Sequence, residues 1–389
     1  MVERDTDDTA ASKTYADEEG VDREGGRKRP KISSRETCNF EDAVNIHDAH
    51  KKYTIDEREV GEGTFGRVYR GKVKDTGEIV AIKQIKLSGA RYQDGMHPTA
   101  LREIKFLKEL SLIAHKNVIK LFDIYSHRKR LYLVFEFCDI TLEDVVKDKK
   151  VQLPQADIKS YMKMLLEGVD FCHKSWILHR DLKPNNLMLG KDNQLKLIDF
   201  GAAKTYASPG RHYNCDNVTL WYRSPELLFG CPLHTPGIDM WSIGCIFGEL
   251  LLRRPLIDGQ REIDQLGRIF RFLGTPKEKD WPNMKSLSGY IEFEHVDKVP
   301  MKSVFGRHAT SAALDLLELF FKFDPAKRIS AEKALEHKYF KEEAPRATKP
   351  DNLIAVRSFR HEPDRGNLLR EQPGPTTTPT GALAKRLAF

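Results

Sequence analysis

The chain has 389 residues, 40% of them hydrophobic, and a formal net charge of +7. That is enough apolar material for a sizeable core, and the positive charge is interleaved with acid instead of forming a basic face studded with aromatics, which argues against a nucleic-acid binder. The acidic, polar N-terminus is no signal peptide, the longest apolar run (residues 243–252) is too short for a bilayer core of about 30 Å, and six cysteines without a C-x-x-C pair read as reduced thiols, not disulfides or zinc ligands.

Residues 1–50 are charged, hydroxyl-rich and poor in aromatics, so a disordered extension is expected there. Within it, Arg27-Lys28-Arg29-Pro30-Lys31 reads equally well as a nuclear import signal or as a solvated charged patch. From Tyr53 the character changes. Residues 59–70 (EVGEGTFGRVYR) and 78–86 (EIVAIKQIK) alternate in polarity around a glycine-rich loop and an Asp75-Thr76-Gly77 turn, which predicts three strands. Gly61, Gly63 and Gly66 carry no side chains, so their backbone can close over nucleotide phosphates. G-x-G-x-x-G alone would also fit a dinucleotide fingerprint. The strand-turn-strand context counts against that, as does Val80-Ala81-Ile82-Lys83, whose lysine can neutralise the α- and β-phosphates.

Residues 97–110 (HPTALREIKFLKEL) predict a helix with Pro98 at its first turn and Leu101, Ile104, Leu107 and Leu110 on one face. Glu103 on that helix is placed to pair with Lys83. Residues 131–137 (LYLVFEF) form an apolar strand whose pattern stops at Cys138-Asp139-Ile140, the expected hinge between two lobes. There the backbone of Glu136 and Cys138 can hydrogen-bond an adenine, with Phe135 behind it. Residues 155–174 are apolar at helical spacing and lead into 179–186, HRDLKPNN.

That octapeptide carries the chemistry. Asp181 can accept or orient a hydroxyl proton, Lys183 can set positive charge beside a phosphoryl group, and Asn186 offers an amide oxygen suited to Mg²⁺. Thirteen residues past Asn186 comes Asp199-Phe200-Gly201, with a carboxylate for the other side of the metal. H-R-D-L-x-x-x-N followed by D-F-G is a compound signal for phosphoryl transfer. Residues 187–198 read as a short hairpin around Asp192-Asn193, 238–252 as a helix buried all round, and 311–322 and 330–338 as amphipathic helices. Past Phe340 the composition turns to Pro, Thr, Arg and Gly, as in a mobile tail.

Taken together, residues 61–68, Lys83, Glu103, HRDLKPNN, DFG, Ser224-Pro225-Glu226, Asp239-Met240-Trp241-Ser242 and Arg328 resemble a eukaryotic protein kinase over residues 53–340. Lys183, two residues after Asp181, marks the serine/threonine type. The resemblance implies an α+β, bilobal fold. It has a small β-rich N-lobe with one key helix (53–137), a hinge (136–141) and a larger helical C-lobe (142–340), between flexible segments at 1–50 and 341–389. It implies Asp181, Lys183, Lys83 and Glu103 as catalytic residues and Arg328 as the partner of Glu226. ATP would be held by Val60, Gly61, Glu62, Gly63, Thr64, Phe65, Gly66, Val68, Ala81, Lys83, Phe135, Glu136, Cys138, Asn186, Met188 and Asp199, with Mg²⁺ on Asn186 and Asp199.

Residues 98–103 (PTALRE) are similar to the cyclin-binding helix of cyclin-dependent kinases. Asp94-Gly95, Trp176-Ile177-Leu178, Ser208-Pro209, residues 226–230, Asp264-Gln265-Leu266 and residues 273–276 resemble the branch that supplies the catalytic subunit of the CDK-activating kinase. That implies a cyclin H-like partner on the 98–103 helix, a ring-finger assembly factor and a place in TFIIH. It implies protein substrates, namely activation loops of other cyclin-dependent kinases and the RNA polymerase II repeat tail, with a Ser/Thr-Pro preference. A nuclear and also cytoplasmic location follows, with no direct nucleic-acid partner and no membrane.

Some positions depart from the pattern. Asn214 stands where the group has a phosphorylatable threonine, opposite the cations Arg102, Arg180 and Lys204. Without a phosphate these cations repel one another. Three routes would order the loop: the partners alone, phosphate on Ser208, or an acidic residue such as Asp216. Phe65 replaces an inhibitory tyrosine, Thr64 remains modifiable, Ala202 replaces a leucine beneath the glutamate-bearing helix, and Asn217 replaces an apolar residue of the proline pocket.

Overall fold

Strand alternation decides which residues face the cleft. The structure, a computed structural model, describes residues 51–63, 66–85, 98–127, 130–191, 193–206, 219–348 and 350. The expectations for 1–50, Thr64, Phe65, Asp94, Gly95, Asp192, Ser208, Asn214, Asp216, Asn217 and 351–389 lie outside the described residues. β1 (Tyr53–Gly63), β2 (Gly66–Val73), β3 (Ile79–Ile85), β4 (Leu121–His127) and β5 (Arg130–Glu136) form one antiparallel sheet in the order β1-β2-β3-β5-β4. Its register pairs Val68 with Lys83, Lys83 with Leu133 and Ala81 with Phe135. Side chains alternate along a strand, so Val68, Ala81, Lys83, Leu133 and Phe135 share one face. The opposite face carries Val80, Ile82, Tyr132 and Val134, which pack with Tyr53 and Tyr125 into the small-lobe core.

Helix α1 (Pro98–Ile113) buries Ile104, Leu107 and Leu110, but Leu101, expected on the same face, is 38% exposed. Residues three apart drift about 60° around a helix, so a stripe of three such steps runs off the buried side at its end. The large lobe comprises β6 (Ile140–Thr141), α2 (Leu142–Lys147), α3 (Gln155–Lys174), β7 (Ile177–Leu178), β8 (Leu187–Leu189), β9 (Leu195–Leu197), β10 (Lys204–Thr205), α4 (Pro225–Leu228), α5 (Gly237–Leu252), α6 (Glu262–Leu273), α7 (Met301–Phe305), α8 (Ser311–Phe320), α9 (Ala331–Leu335) and α10 (Lys338–Lys341). α5 is buried from Gly237 to Leu251, as its unbroken apolar character predicts. Among the described residues, Cys138, Cys172, Cys231 and Cys245 are free thiols, and no helix is long and apolar enough to cross a membrane.

The structure corrects three further expectations. The hinge is shorter than 136–141: Glu136 ends β5, and Ile140 and Thr141 already pair with Leu189 and Met188 of the large lobe. The helix expected over 330–338 is interrupted, because the His337 side chain accepts from the Tyr339 N–H and starts α10 as a separate turn. The tail does not come loose at 341. Buried Lys159 donates through Nζ to the Glu343 carbonyl at 2.7 Å, Thr310 Oγ1 donates to Glu343 Oε2 at 2.9 Å, and Asn193 Nδ2 donates to the carbonyl of buried Pro350. A buried ammonium must find an acceptor, and here the tail backbone provides it.

Candidate active site

Lys83 on β3 and Glu103 on α1 face each other across the small lobe. Lys83 Nζ lies 2.6 Å from Glu103 Oε1 and 2.8 Å from Oε2. Burial alone would lower the lysine pKa, but the charges of Glu103 and Asp199 outweigh it and hold the ammonium above its ordinary range. α1 packs against the Phe200–Ala202 turn, and Arg102 Nη1 donates to the Gly201 carbonyl at 3.2 Å, so the helix that carries Glu103 is tied to the Asp199 segment. Ala202 is half-buried at this contact.

HRDLKPNN follows β7 directly and folds as a loop ending in the Pro184–Asn186 turn. Two backbone donors of the loop converge on one buried carboxylate: the His179 N–H bonds Asp239 Oδ2 at 3.0 Å and the Arg180 N–H bonds Oδ1 at 2.8 Å. His173 Nε2 lies 2.8 Å from the same Oδ2. Burial would raise the Asp239 pKa, but His173, His179 and these N–H groups more than offset it and keep the carboxyl below the usual range. Arg180 and Asp199 both adopt left-handed backbone conformations (φ 71° and 61°), a strain that the surrounding hydrogen bonds sustain.

Asp181 gathers four donors. Oδ2 accepts from Lys183 Nζ at 2.7 Å and from Asn186 Nδ2 at 3.0 Å; Oδ1 accepts from the Thr219 N–H at 3.1 Å and from Thr219 Oγ1 at 3.0 Å. Lys183 Nζ also donates to Thr219 Oγ1 at 2.7 Å. Because Asn186 Nδ2 is committed to Asp181, including its carbonyl at 2.8 Å, the amide oxygen points elsewhere. Asp199 uses Oδ1 to accept from the Gly201 N–H at 3.2 Å. The Ile198 N–H bonds the Asn186 carbonyl at 3.0 Å, which sets the Asp199 strand beside the loop. Among the described residues, no three His, Cys, Asp or Glu side chains form a metal cluster. One carboxylate and one amide oxygen therefore suit a cation that draws its other ligands from phosphate and water, as Mg²⁺ does.

Asp181, Lys183 and Asn186 are thus joined directly, as are Lys83 and Glu103, with Asp199 beside both groups. Val68, Ala81 and Phe135 share the face of Lys83. A Cβ at Gly66 would lie 2.3 Å from the Gln84 carbonyl oxygen, so only glycine fits there; at Gly61 nothing lies within 4 Å. Val60 is exposed, Met188 half-buried and Cys138 buried. Of Thr64, Phe65 and the side chains at 62 and 63 nothing is described. Sequence reading assigned no role to Thr219, which begins T-L-W-Y-R with nothing to mark its hydroxyl. Asp239 had a better signal: an acid at the head of an apolar helix is buried only with donors around it.

Two of the three cations expected to face a phosphothreonine, Arg180 and Lys204, act electrostatically on a histidine, His234. Burial, with the charges of Arg180 and Lys204, pushes the His234 pKa down to about 3.

The protein kinase domain family matches residues 54–340. The chain belongs to the protein kinase family. It is similar to cyclin-dependent kinase D-1 of Oryza sativa subsp. indica, at 49% identity over 298 residues covering 76% of this chain and 69% of that protein. It is similar to cyclin-dependent kinase 7 of Dictyostelium discoideum (50% over 291 residues; 74% of this chain and 79% of that protein). With cyclin-dependent kinase 7 of Xenopus laevis it shares 48% over 299 residues, or 76% and 82% of the two chains. A solved structure of the CAK complex of Chaetomium thermophilum bound to ATP-gamma-S matches with a TM-score of 0.72 at 39% identity, covering 77% of this kinase and 94% of that chain. This kinase is therefore of the cyclin-dependent serine/threonine type, and its small sheet lobe and large helical lobe are those expected from the motifs.

Proposed function

We propose that this kinase transfers the γ-phosphoryl group of ATP to Ser or Thr, preferentially before Pro, in the activation loops of other cyclin-dependent kinases, in the RNA polymerase II repeat tail, or in both. The four-donor cradle around Asp181 is the observation that carries this reading. Asp181 orients the incoming hydroxyl and takes its proton, Lys183 offsets charge on the moving group, and the Lys83–Glu103 pair fixes the α- and β-phosphates. Asn186 Oδ1 and Asp199 would hold Mg²⁺, which when bound with ATP supplies positive charge between the phosphates. The carbonyl of Glu136 and the N–H of Cys138 would seat the adenine. Alignment contributes most, because the Asp239 anchor fixes the loop before substrate arrives.

A cyclin H-like partner would dock on the 98–103 stretch of α1, with a ring-finger factor alongside, in the nucleus. Solvent-exposed Leu101, Leu112 (87%) and Ile113 (67%) lie on this helix and Phe122 on β4, an apolar surface of the kind partners cover. Leu101→Glu is expected to weaken cyclin binding by about tenfold or more while the melting temperature of the kinase alone stays within about 1 °C. Binding that survives the substitution would move the interface elsewhere.

The function is tested by radiolabel transfer from ATP to a Ser-Pro peptide and to a cyclin-dependent kinase, with cyclin present. A scaffold without activity would hold the cyclin and leave both substrates unlabelled.

A further inference from the structure

Glu136, the last residue of β5, turns its carboxylate away from the adenine seat and spends both oxygens behind the hinge. Oε1 accepts from the Lys120 N–H at 2.8 Å, and Oε2 lies 2.9 Å from Lys196 Nζ on β9. The Glu136 N–H returns a bond to the Lys120 carbonyl at 3.1 Å. The loop before Lys120 is itself stitched to β9. The Ile119 N–H bonds the Leu197 carbonyl at 3.0 Å, the Leu197 N–H bonds the Asn117 carbonyl at 2.9 Å, and Asn117 Nδ2 donates to the Leu195 carbonyl at 2.8 Å. α3 closes over this junction: a Cβ at Gly168 would come 2.5 Å from Leu197 Cδ1 and 3.0 Å from the Asn117 carbonyl.

Helix α1 therefore leads into a loop whose backbone belongs to the large lobe, and Glu136 ties the start of the hinge to that loop and to β9. Lys196 lies three residues before Asp199 on the same segment. The pair is partly shielded, with Lys196 13% and Glu136 23% exposed at the side chain, and it walls a cavity of about 210 Å³ behind the hinge. Lys116, another cation of the loop, is taken up by Glu167 at 2.7 Å and does not compete for Glu136.

We propose that Glu136 and Lys196 form a clamp that holds the adenine-seating backbone at a set distance from Asp199, so that base and metal-bearing phosphates are engaged together. Both are positioning residues, acting through the hinge backbone and the Asp199 strand. The inference rests on reading the cleft as an ATP site. Breaking the clamp costs affinity for the whole nucleotide, because adenine and phosphates then have to be aligned on binding.

The test measures equilibrium binding of ATP with Mg²⁺ to the full-length chain and its variants, and their melting without nucleotide. Glu136→Gln keeps an acceptor for the Lys120 N–H and loses the charge; Lys196→Met keeps length and loses the ammonium. Each is expected to weaken ATP about fivefold, the scale of a partly shielded ion pair. The double variant is expected to bind no more weakly than the weaker single one, and Lys196→Arg to bind like wild type. In steady-state assays the loss should fall on KM for ATP and leave kcat within about twofold. Fivefold losses that multiply in the double variant would overturn the clamp. So would unchanged ATP binding, or losses that simply track a lower melting temperature. A wild-type chain that bound no ATP at all would overturn the reading of the cleft, and the clamp with it.

Discussion

Asp181→Asn is expected to lower kcat by about 10²- to 10⁴-fold while ATP affinity changes by less than about threefold. The carboxylate accepts from two donors on each oxygen: Lys183 and Asn186 on one, the backbone and hydroxyl of Thr219 on the other. An amide keeps only one oxygen. Whichever way it turns, its NH₂ group meets two donors, so the variant loses both the negative charge and the aim of the side chain. The Lys83–Glu103 pair and Asp199 are untouched, so the nucleotide keeps its contacts. Single-turnover transfer with the cyclin bound would give the chemical step, and calorimetry the ATP affinity. A variant transferring phosphate within about threefold of wild type would remove Asp181 from the reaction, because a base or orienting group contributes far more than that.

Local order explains why the cradle can be ready before substrate arrives. Asp239, from α5, holds the backbone of His179 and Arg180, and α5 is itself buried at the centre of the large lobe. The position of Asp181 is thus inherited from a helix buried in the large lobe and not from the loop alone. Lys83 and Glu103 depend instead on the seating of α1, whose exposed apolar end offers a partner a lever on the ion pair.

What was legible in the sequence was local or periodic. Two-residue alternation marked the strands around the glycine loop and β3, and an apolar run marked β5; that Lys83, Ala81 and Phe135 share one face follows from the register. Linear motifs named Asp181, Lys183, Asn186 and Asp199 because their spacing is set by a single loop and a short hairpin. Contacts between distant segments were legible only where family motifs carried them, as for Lys83–Glu103 and Arg328–Glu226. Thr219 reaches Asp181 across the activation segment, and no spacing rule links a threonine to an aspartate so far upstream. Nothing in the helical spacing of 155–174 marks Lys159, which is buried against the tail carbonyl of Glu343. Leu101 misled for a geometric reason, since three-residue spacing drifts around the helix. The hinge ended early because Ile140 and Thr141 found strand partners in β8, which the break in apolar pattern could not reveal.

Arg328→Met is expected to destabilise the kinase by about 3–5 kcal/mol, the range for breaking a buried ion pair. For a domain of this size, roughly 2–4 °C per kcal/mol implies a melting point lower by about 6–20 °C. Arg328 is fully buried at the side chain and Glu226 is 3% exposed, with Nη1 to Oε1 at 2.5 Å and Nη2 to Oε2 at 2.6 Å. The remaining guanidinium donors go to the carbonyls of Gly237 at 2.9 Å, Phe323 at 3.0 Å and Lys322 at 2.7 Å, and the group lies 5.0 Å from the Trp241 ring. Removing the arginine leaves a buried carboxylate uncompensated and takes a donor from three carbonyls, which is why one substitution costs so much. Replacing both partners, as Glu226→Leu with Arg328→Met, is expected to recover much of the melting temperature, because the desolvated charges go together. It should not recover turnover, since Glu226 sits on α4 at the end of the segment that carries Thr219, and the pair is what fastens that end to the lobe. Equal recovery of melting temperature and turnover would show that the pair serves stability alone.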